Sequence, residues 1–323
     1  MQINKMTIRT LSILGQRGAL GYALTELAKE DNKIIALTAD LCTTSGLDRF
    51  NNTFPERVVN VGIAEQNMIG IAAGMSTLGY IPFATTFANF ASLRSCEQIR
   101  HFMGYMKENI KVVGFGGGFA MGMFGITHYG MEDIAAIRSI PDLTILSPAD
   151  CLETAKATIA AYQHKGPVFL RLTGVMNHPM VYKEDYDFKI GKAIQLREGS
   201  DIAIFATGGL VHQTKLASEQ LAELGISCRI YNIHTIKPID VEAIYNSLDV
   251  KLIVTVEEHS VIGGLGSSVA ETLSRLKDRP PQLMIGVSLE YKSAGSYDYM
   301  LEQYGLTNNG IADKILLKYR EVE

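Results

Sequence analysis

Short runs rich in β-branched and other apolar residues recur along the chain, each separated from the next by a stretch long enough to form a helix. In the first half these runs are Ile34–Leu37, Val58–Val61, Ile81–Ala84, Lys111–Phe115, Leu143–Leu146 and Val168–Leu172, with helical spacing in segments such as Ala91–Met106 and Asp150–Gln163. Alternation of this kind predicts βαβ crossovers, and so a mainly parallel sheet with helices on both faces. The rhythm lapses around Gly174–Gly191, in the polar passage NHPMVYKEDYDFKIG, and then resumes. Strands are expected at Ile202–Ala206, Ser227–Ile233, Leu252–Val256 and Leu283–Val287, with helices at about Leu210–Leu224, Val241–Ser247 and Gly264–Leu276. The expected fold class is α/β, with two doubly wound domains of mainly parallel sheets. Residues 1–176 are expected to form the first domain, 177–190 a linker and 191–323 the second. A chain of 323 residues exceeds the usual size of a single core, which agrees with that division.

Composition narrows the function classes. The formal net charge is −4, and no basic face or tract stands out, so nucleic acid and anionic lipid are not expected partners. No uninterrupted apolar run approaches the length of a membrane span, and the opening MQINKMTIRTLSILGQRG lacks a signal-peptide core. Cys42, Cys96, Cys151 and Cys228 are dispersed, with no CxxC pair and no clustered histidine. Neither a zinc site nor a disulfide framework is expected, and a cytoplasmic location fits.

The stretch VVNVGIAEQNMIGIAAG, Val58–Gly74, places a single carboxylate, Glu65, where an apolar strand gives way to an apolar helix. A glutamate in the first turn of a helix ordinarily complements the helix dipole. Here the segment Asn67–Leu78 also carries Gly70, Ala72, Ala73, Gly74 and Ser76, so a backbone or a flat ligand can approach closely. Desolvating a charge costs several kcal/mol, on the order of what a working site must justify. Glu65 is therefore read as a buried functional carboxylate.

Downstream, TFANF at Thr86–Phe90 spaces Phe87 and Phe90 three apart, which puts both rings on one face of a helical turn. Core packing is the ordinary role of such a pair; a flat heteroaromatic ligand stacked on one ring, with a carboxylate at its edge, is the sharper alternative. His128, in GITHYGMED, lies between the glycine-rich GFGGGFAMGMFG at Gly114–Gly125 and an acidic helix start, where a functional loop would sit. His101, His164, His178, His212 and His234 carry no such context and read as surface or structural residues. The glycine-rich loop has neither the dinucleotide fingerprint nor a Walker lysine. GGLGSS at Gly263–Ser268 suits either an anion at a helix N-terminus or, preferably, tight helix–sheet packing.

Taken in order, ADLCTTSGLDRF (Ala39–Phe50), NVGIAEQNMIGIAAGMSTLGYIPFATTFANF, ITHYGMEDIAAIRSIPDLTILSPAD, TGGLVHQ and VEEHSVIGGLGS resemble the C-terminal half of transketolases across nearly the whole chain. That half comprises a pyrimidine-binding domain and a C-terminal domain. The resemblance implies thiamine diphosphate as cofactor and transfer of a two-carbon ketol unit from a ketose to an aldehyde acceptor. It implies that Glu65 lies against N1′ of the aminopyrimidine, stabilising the protonated ring and its imino tautomer so that the cofactor supplies its own base. Phe87 and Phe90 match the aromatic residues around that ring, and Asp40 matches an aspartate on the thiazolium side. Arg17, Thr44 and His128 match positions that meet the sugar, with Glu65 and His128 as the catalytic pair.

The same resemblance identifies what is missing. Relatives bind the diphosphate and Mg²⁺ through a GDG motif with a downstream Asn, and the dipeptide Gly-Asp occurs nowhere in this chain. The resemblance thus implies a split transketolase: a separate N-terminal subunit carries the metal site, the assembly is an α2β2 heterotetramer, and this chain is inactive alone. Two departures bear on the substrate. Phe124 stands where many relatives have an acidic residue that reads a sugar hydroxyl, and Gly174 stands where sugar-phosphate users often have arginine. Arg171, three residues earlier, faces the opposite side by strand alternation. A modified sugar, deoxy, sulfo or otherwise altered, is therefore expected, with Phe124 packing where a hydroxyl contact was lost. The competing enzymatic readings are the beta subunit of a 2-oxoacid dehydrogenase and 1-deoxyxylulose-5-phosphate synthase; a non-catalytic scaffold is a third.

Overall fold

The computed structural model describes residues 3–173, 179–288 and 290–322. Among them, six strands alternate with helices in the first part of the chain: β1 (Ile34–Thr38), β2 (Val58–Asn60), β3 (Ile81–Phe87), β4 (Lys111–Gly117), β5 (Thr144–Leu146) and β6 (Val168–Thr173). Every residue of β1, β4, β5 and β6 is buried, as continuous apolar runs become when helices cover both faces of a parallel sheet. Six more strands follow: β7 (Ile194–Arg197), β8 (Ile202–Ala206), β9 (Cys228–Asn232), β10 (Thr235–Lys237), β11 (Leu252–Ser260) and β12 (Gln282–Val287).

They form two sheets, ordered β10-β5-β6-β4-β3-β1-β2 and β12-β11-β8-β9-β7. Pairing is parallel except at one edge of each, where β10 and β7 run antiparallel to their neighbours. The two α/β units with mostly parallel sheets agree with the expectation from residue alternation. Five helices lie outside that expectation: Lys5–Ser12, Gly15–Ala28, Asp48–Thr53, Tyr297–Tyr304 and Asn308–Val322. The segment expected as one helix over Ala91–Met106 is instead two π-helical stretches, Phe90–Arg94 and Ile99–Tyr105, joined by a short α-turn. Interrupted helices of this sort are frequent at functional sites.

The two units are joined by more than the connecting chain. β10 belongs by sequence to the second unit but pairs with β5 of the first, with Thr235 opposite Leu146. One apolar cluster runs through both units and includes Ile134, Ile145, Phe205, Ile236 and Leu265. A buried polar network fastens the connecting passage as well. Asp150 caps the helix Cys151–Gln163 through the Glu153 amide and, with its other oxygen, accepts from the amides of Val181 and Tyr182 at 2.7 and 2.9 Å. Glu153 accepts from the Ala149 amide, the Tyr186 hydroxyl and the Asn232 side-chain amide. Burial pushes the Asp150 carboxyl up to about 6. Among the described residues, no helix is long and apolar enough to cross a membrane.

One close approach sets the position of the N-terminal helices. A Cβ on Gly21 would fall 1.9 Å from the carbonyl oxygen of Gly46, so only glycine lets the helix Gly15–Ala28 lie against the loop after β1. This contact brings Arg17 beside Thr44.

Candidate active site

Glu65 opens the helix Glu65–Thr77, whose buried residues are Glu65, Met68, Ile69, Ala72 and Ala73. The carboxylate thus begins the apolar stripe that the 3.6-residue period directs inward, and its exposure is 3%. The turn before it is shaped by Asn60, whose Oδ1 accepts from the amides of Gly62 and Asp40 at 3.0 and 3.1 Å. The Asn60 side-chain amide returns a bond to the Asp40 carboxylate. Asp40 itself is exposed and holds φ of 62°, the left-handed region that a non-glycine residue adopts at a cost.

The partner of Glu65 escaped the sequence reading. Arg94 Nη1 donates to Glu65 Oε1 at 2.7 Å, and its Cζ lies 3.8 Å from the centroid of Phe90. The π-helical stretch Phe90–Arg94 ends on this arginine, which remains 44% exposed. Glu65 Oε2 accepts no hydrogen bond among the described residues. No periodicity signals such a pair, because the two residues are 29 positions apart and on different elements.

The aromatic residues converge on the same place. Phe87 is the last residue of β3 rather than part of a helical turn, and Phe90 follows across the strand–helix junction. Their centroids are 5.4 Å apart at 80°, close to the edge-to-face geometry that aromatic pairs prefer. The His128 ring lies 5.1 Å from Phe87, 5.3 Å from Phe90 and 5.1 Å from Phe124. His128 is carried by a loop of short 3₁₀ turns, tied back where the Asn89 side-chain amide donates to the Thr127 carbonyl at 2.7 Å. Burial, and then the nearby Arg94 charge, hold the His128 ring below the ordinary histidine range, so its neutral form is favoured at neutral pH. Replacing Arg94 with methionine should therefore raise the pH at which His128 titrates. An NMR titration of the ring signals, assigned with His128→Gln, would read this shift; an unmoved titration would show that the arginine field does not reach the imidazole.

Arg17 and Thr44 form a second group. Arg17 Nη1 donates to the Thr44 carbonyl at 2.7 Å, and both line a cavity of about 400 Å³ with Thr43, Asp48, Arg49 and Gly116. Gly116 links the two regions: a Cβ there would lie 3.3 Å from Phe87 Cδ1. Asp40 does not line that cavity. Arg171 is committed elsewhere, fully buried against Asp133 and the carbonyls of Gly130 and Glu258. Gly174 and His178 lie outside the described residues. The helix N-terminus in GGLGSS is already filled by protein: the Glu257 carboxylate accepts from the amides of Leu265 and Gly266, both at 2.7 Å.

Residues 14–174 match the transketolase pyrimidine-binding domain, and residues 191–311 match the transketolase C-terminal domain. The chain is 42% identical over 288 residues to a 6-deoxy-6-sulfo-D-fructose transketolase subunit of Clostridium sp. (strain MSTE9), covering 88% of each. It is 38% identical over 307 residues to one of the subunits of the apulose-4-phosphate transketolase of Phocaeicola vulgatus, covering 94% of this chain and 97% of that one. Among solved structures, a split gene transketolase described as an inactive beta4 tetramer superposes with a TM-score of 0.85 at 38% identity, covering 96% of this chain and 99% of that chain. Two such units with these relatives define a subunit of a ketol-transferring enzyme. The chain belongs to the transketolase family, as a C-terminal subunit of the split form.

That family uses thiamine diphosphate, and the residues fit its aminopyrimidine. A nearly buried carboxylate keeps one oxygen uncommitted, and a wall of aromatic rings stands beside it. Two buried polar atoms flanking Phe87, Thr86 Oγ1 and Asn89 Oδ1, also lack hydrogen-bond partners among the described residues. Buried polar groups are normally satisfied, so such vacancies suit a polar ligand. Among the described residues no three His, Cys, Asp or Glu side chains gather as a metal site.

Proposed function

We propose that Glu65 holds the aminopyrimidine of thiamine diphosphate while a separate N-terminal subunit holds the diphosphate and Mg²⁺. The observation that carries this reading is the free Oε2 of a carboxylate that is otherwise buried and charge-paired. When bound, the cofactor would supply the electron sink for breaking and re-forming a carbon–carbon bond during two-carbon ketol transfer. Glu65 would hold a proton at N1′ of the ring, Phe87 and Phe90 would wall it, and Asp40 would serve the thiazolium side. His128, favoured in its neutral form, is able to accept or donate a proton at a sugar hydroxyl. Arg17 and Thr44 hold the distal part of the sugar, and Phe124 covers the site mouth where it excludes water.

The working assembly is a heterotetramer of two copies of each chain, located in the cytoplasm. Boundaries at 1–176, 177–190 and 191–323 divide this chain. THYGMED and TTFANF favour this reading over a 2-oxoacid dehydrogenase beta chain, and relatives of similar length named for ketol transfer favour it over 1-deoxyxylulose-5-phosphate synthase. A pyruvate decarboxylation assay with a dye acceptor separates the dehydrogenase.

Relatives named for a sulfo-deoxyhexulose and for apulose 4-phosphate support a modified sugar as substrate. An apolar Phe124 in place of a hydroxyl-reading acid disfavours the fully hydroxylated pentose phosphates. In the reconstituted two-chain enzyme, kcat/KM for 6-deoxy-6-sulfofructose or another deoxy sugar should exceed that for xylulose 5-phosphate by about tenfold or more. Equal or better efficiency with xylulose 5-phosphate and ribose 5-phosphate would remove this substrate assignment.

A further inference from the structure

The loop that carries Phe124 and His128 is buried at its base, through Phe119 and Tyr129, and exposed at its tip. Met123 and Phe124 are 73% and 66% exposed, and its regular structure is two 3₁₀ turns. What defines it is a closed neck: the Gly118 amide donates to the Gly130 carbonyl at 2.7 Å, and the Gly130 amide to the Gly118 carbonyl at 3.1 Å. That neck is gripped from the second unit. Glu258, on β11, accepts from the Phe119 amide at 2.5 Å through Oε1 and from the Tyr297 hydroxyl at 2.7 Å through Oε2. Arg171 Nη2 bridges the Gly130 carbonyl and the carbonyl of Glu258 itself, at 2.7 and 2.9 Å. Gly118 has φ of 65°, and a Cβ on it would lie 2.2 Å from Glu258 Oε1. The carboxylate therefore lies against bare backbone.

We propose that Glu258 is a positioning residue for ketol transfer: from the C-terminal unit, its carboxylate closes the neck of the loop Gly118–Gly130 and so sets His128 against Phe87 and Phe90, with Phe124 beside His128. The inference rests on the reading of His128 and Phe124 as groups that meet the sugar. The loop has other ties: Phe119 and Tyr129, both buried, lie edge to face at 5.5 Å, and the Phe119 ring stacks on Tyr304 at 4.8 Å. The Gly295 amide and the Tyr129 hydroxyl reach the Gly122 carbonyl at 3.3 Å each, and Asn89 holds Thr127. None of these bonds the Phe119 amide, where the chain enters the loop; among the described residues that amide donates to Glu258. Burial pushes the Glu258 carboxyl up to about 7, so a neutral isostere changes the clamp little while a truncation removes it.

The test uses the enzyme reconstituted with its N-terminal subunit and four variants: Glu258→Gln, Glu258→Ala, Tyr297→Phe and His128→Ala. Amide hydrogen exchange over residues 119–128 is followed together with kcat and KM for the sugar. Glu258→Ala should speed exchange in that segment and raise the sugar KM about ten- to hundredfold, as a misplacement near 1 Å does. Glu258→Gln should restore most of both, which a role in fold stability or net charge alone would not predict. Should Glu258→Ala fail to fold, Tyr297→Phe decides, with a smaller rise in KM and faster loop exchange expected.

Wild-type KM and wild-type loop protection in the folded Glu258→Ala enzyme would overturn the proposal. So would a loosened loop that leaves KM unchanged, or wild-type values in Tyr297→Phe where the alanine variant does not fold. His128→Ala separates this failure from that of the site itself. If His128→Ala impairs turnover and Glu258→Ala does not, the clamp alone falls; if His128→Ala is silent, the assignment of the loop to the sugar falls first.

Discussion

Replacing Glu65 with glutamine is expected to lower kcat for ketol transfer about 10²- to 10⁴-fold while the fold and the association with the N-terminal subunit persist. The size follows from the role of the group. A glutamine is nearly isosteric and still accepts a hydrogen bond, but it lacks the negative charge that favours a protonated ring nitrogen. Structural damage should be slight, because the lost ion pair involves an arginine that is 44% exposed and able to turn to solvent. Circular dichroism and co-purification with the partner would establish that the protein is intact, and steady-state kinetics at saturating cofactor would give the loss. A folded, partner-bound Glu65→Gln enzyme turning over at the wild-type rate would mean that the carboxylate is a helix-terminal residue after all. A scaffold protein would behave in the same indifferent way, so the variant also decides between catalyst and binding module.

The isolated chain should show no measurable turnover with thiamine diphosphate and Mg²⁺, and activity should rise with added N-terminal subunit until the two are equimolar. The Gly-Asp dipeptide of the relatives' diphosphate clamp occurs nowhere in this sequence, and a diphosphate without a cation clamp is held far less firmly. The surface around the site is also unfinished. Ile63, two residues before Glu65, is 78% exposed, and Leu93, next to Arg94, is 51% exposed. Both flank the Glu65–Arg94 ion pair in sequence, and a partner chain seated there would cover them. Titration of one chain against the other, read by turnover, would give a sharp equivalence point if the site is shared. Ketol transfer by the purified chain alone would refute the shared site.

Much of this architecture is legible in the residue order, and the parts that are not share a cause. Strands β1, β4 and β6 announce themselves because both of their faces are covered and the apolar run is unbroken. β7 and β10 sit at sheet edges, are short, and mix polar with apolar residues, so no local period distinguishes them from loops. The N-terminal helices are hidden for another reason: in Gly15–Ala28 ten of the fourteen residues are buried, which erases the alternation between faces that marks a surface helix. At the site, Glu65, Phe87, Phe90 and His128 are readable as oddities of their local context, and the structure gathers the three rings. Arg94 and Asn60 are not, since each acts on a group twenty or more residues away and neither stands out among its neighbours. The clamp residue Glu258 is hidden likewise: two successive glutamates in a strand look solvated until both prove to be fully buried.

The three residues of β10 carry a lesson for anyone cutting this gene. A fragment ending in the passage between the units would leave the backbone of β5 bare along one side, and such a raw margin invites sticking to other copies. A fusion to a fluorescent tag or purification handle is therefore safer at the ends than between the units.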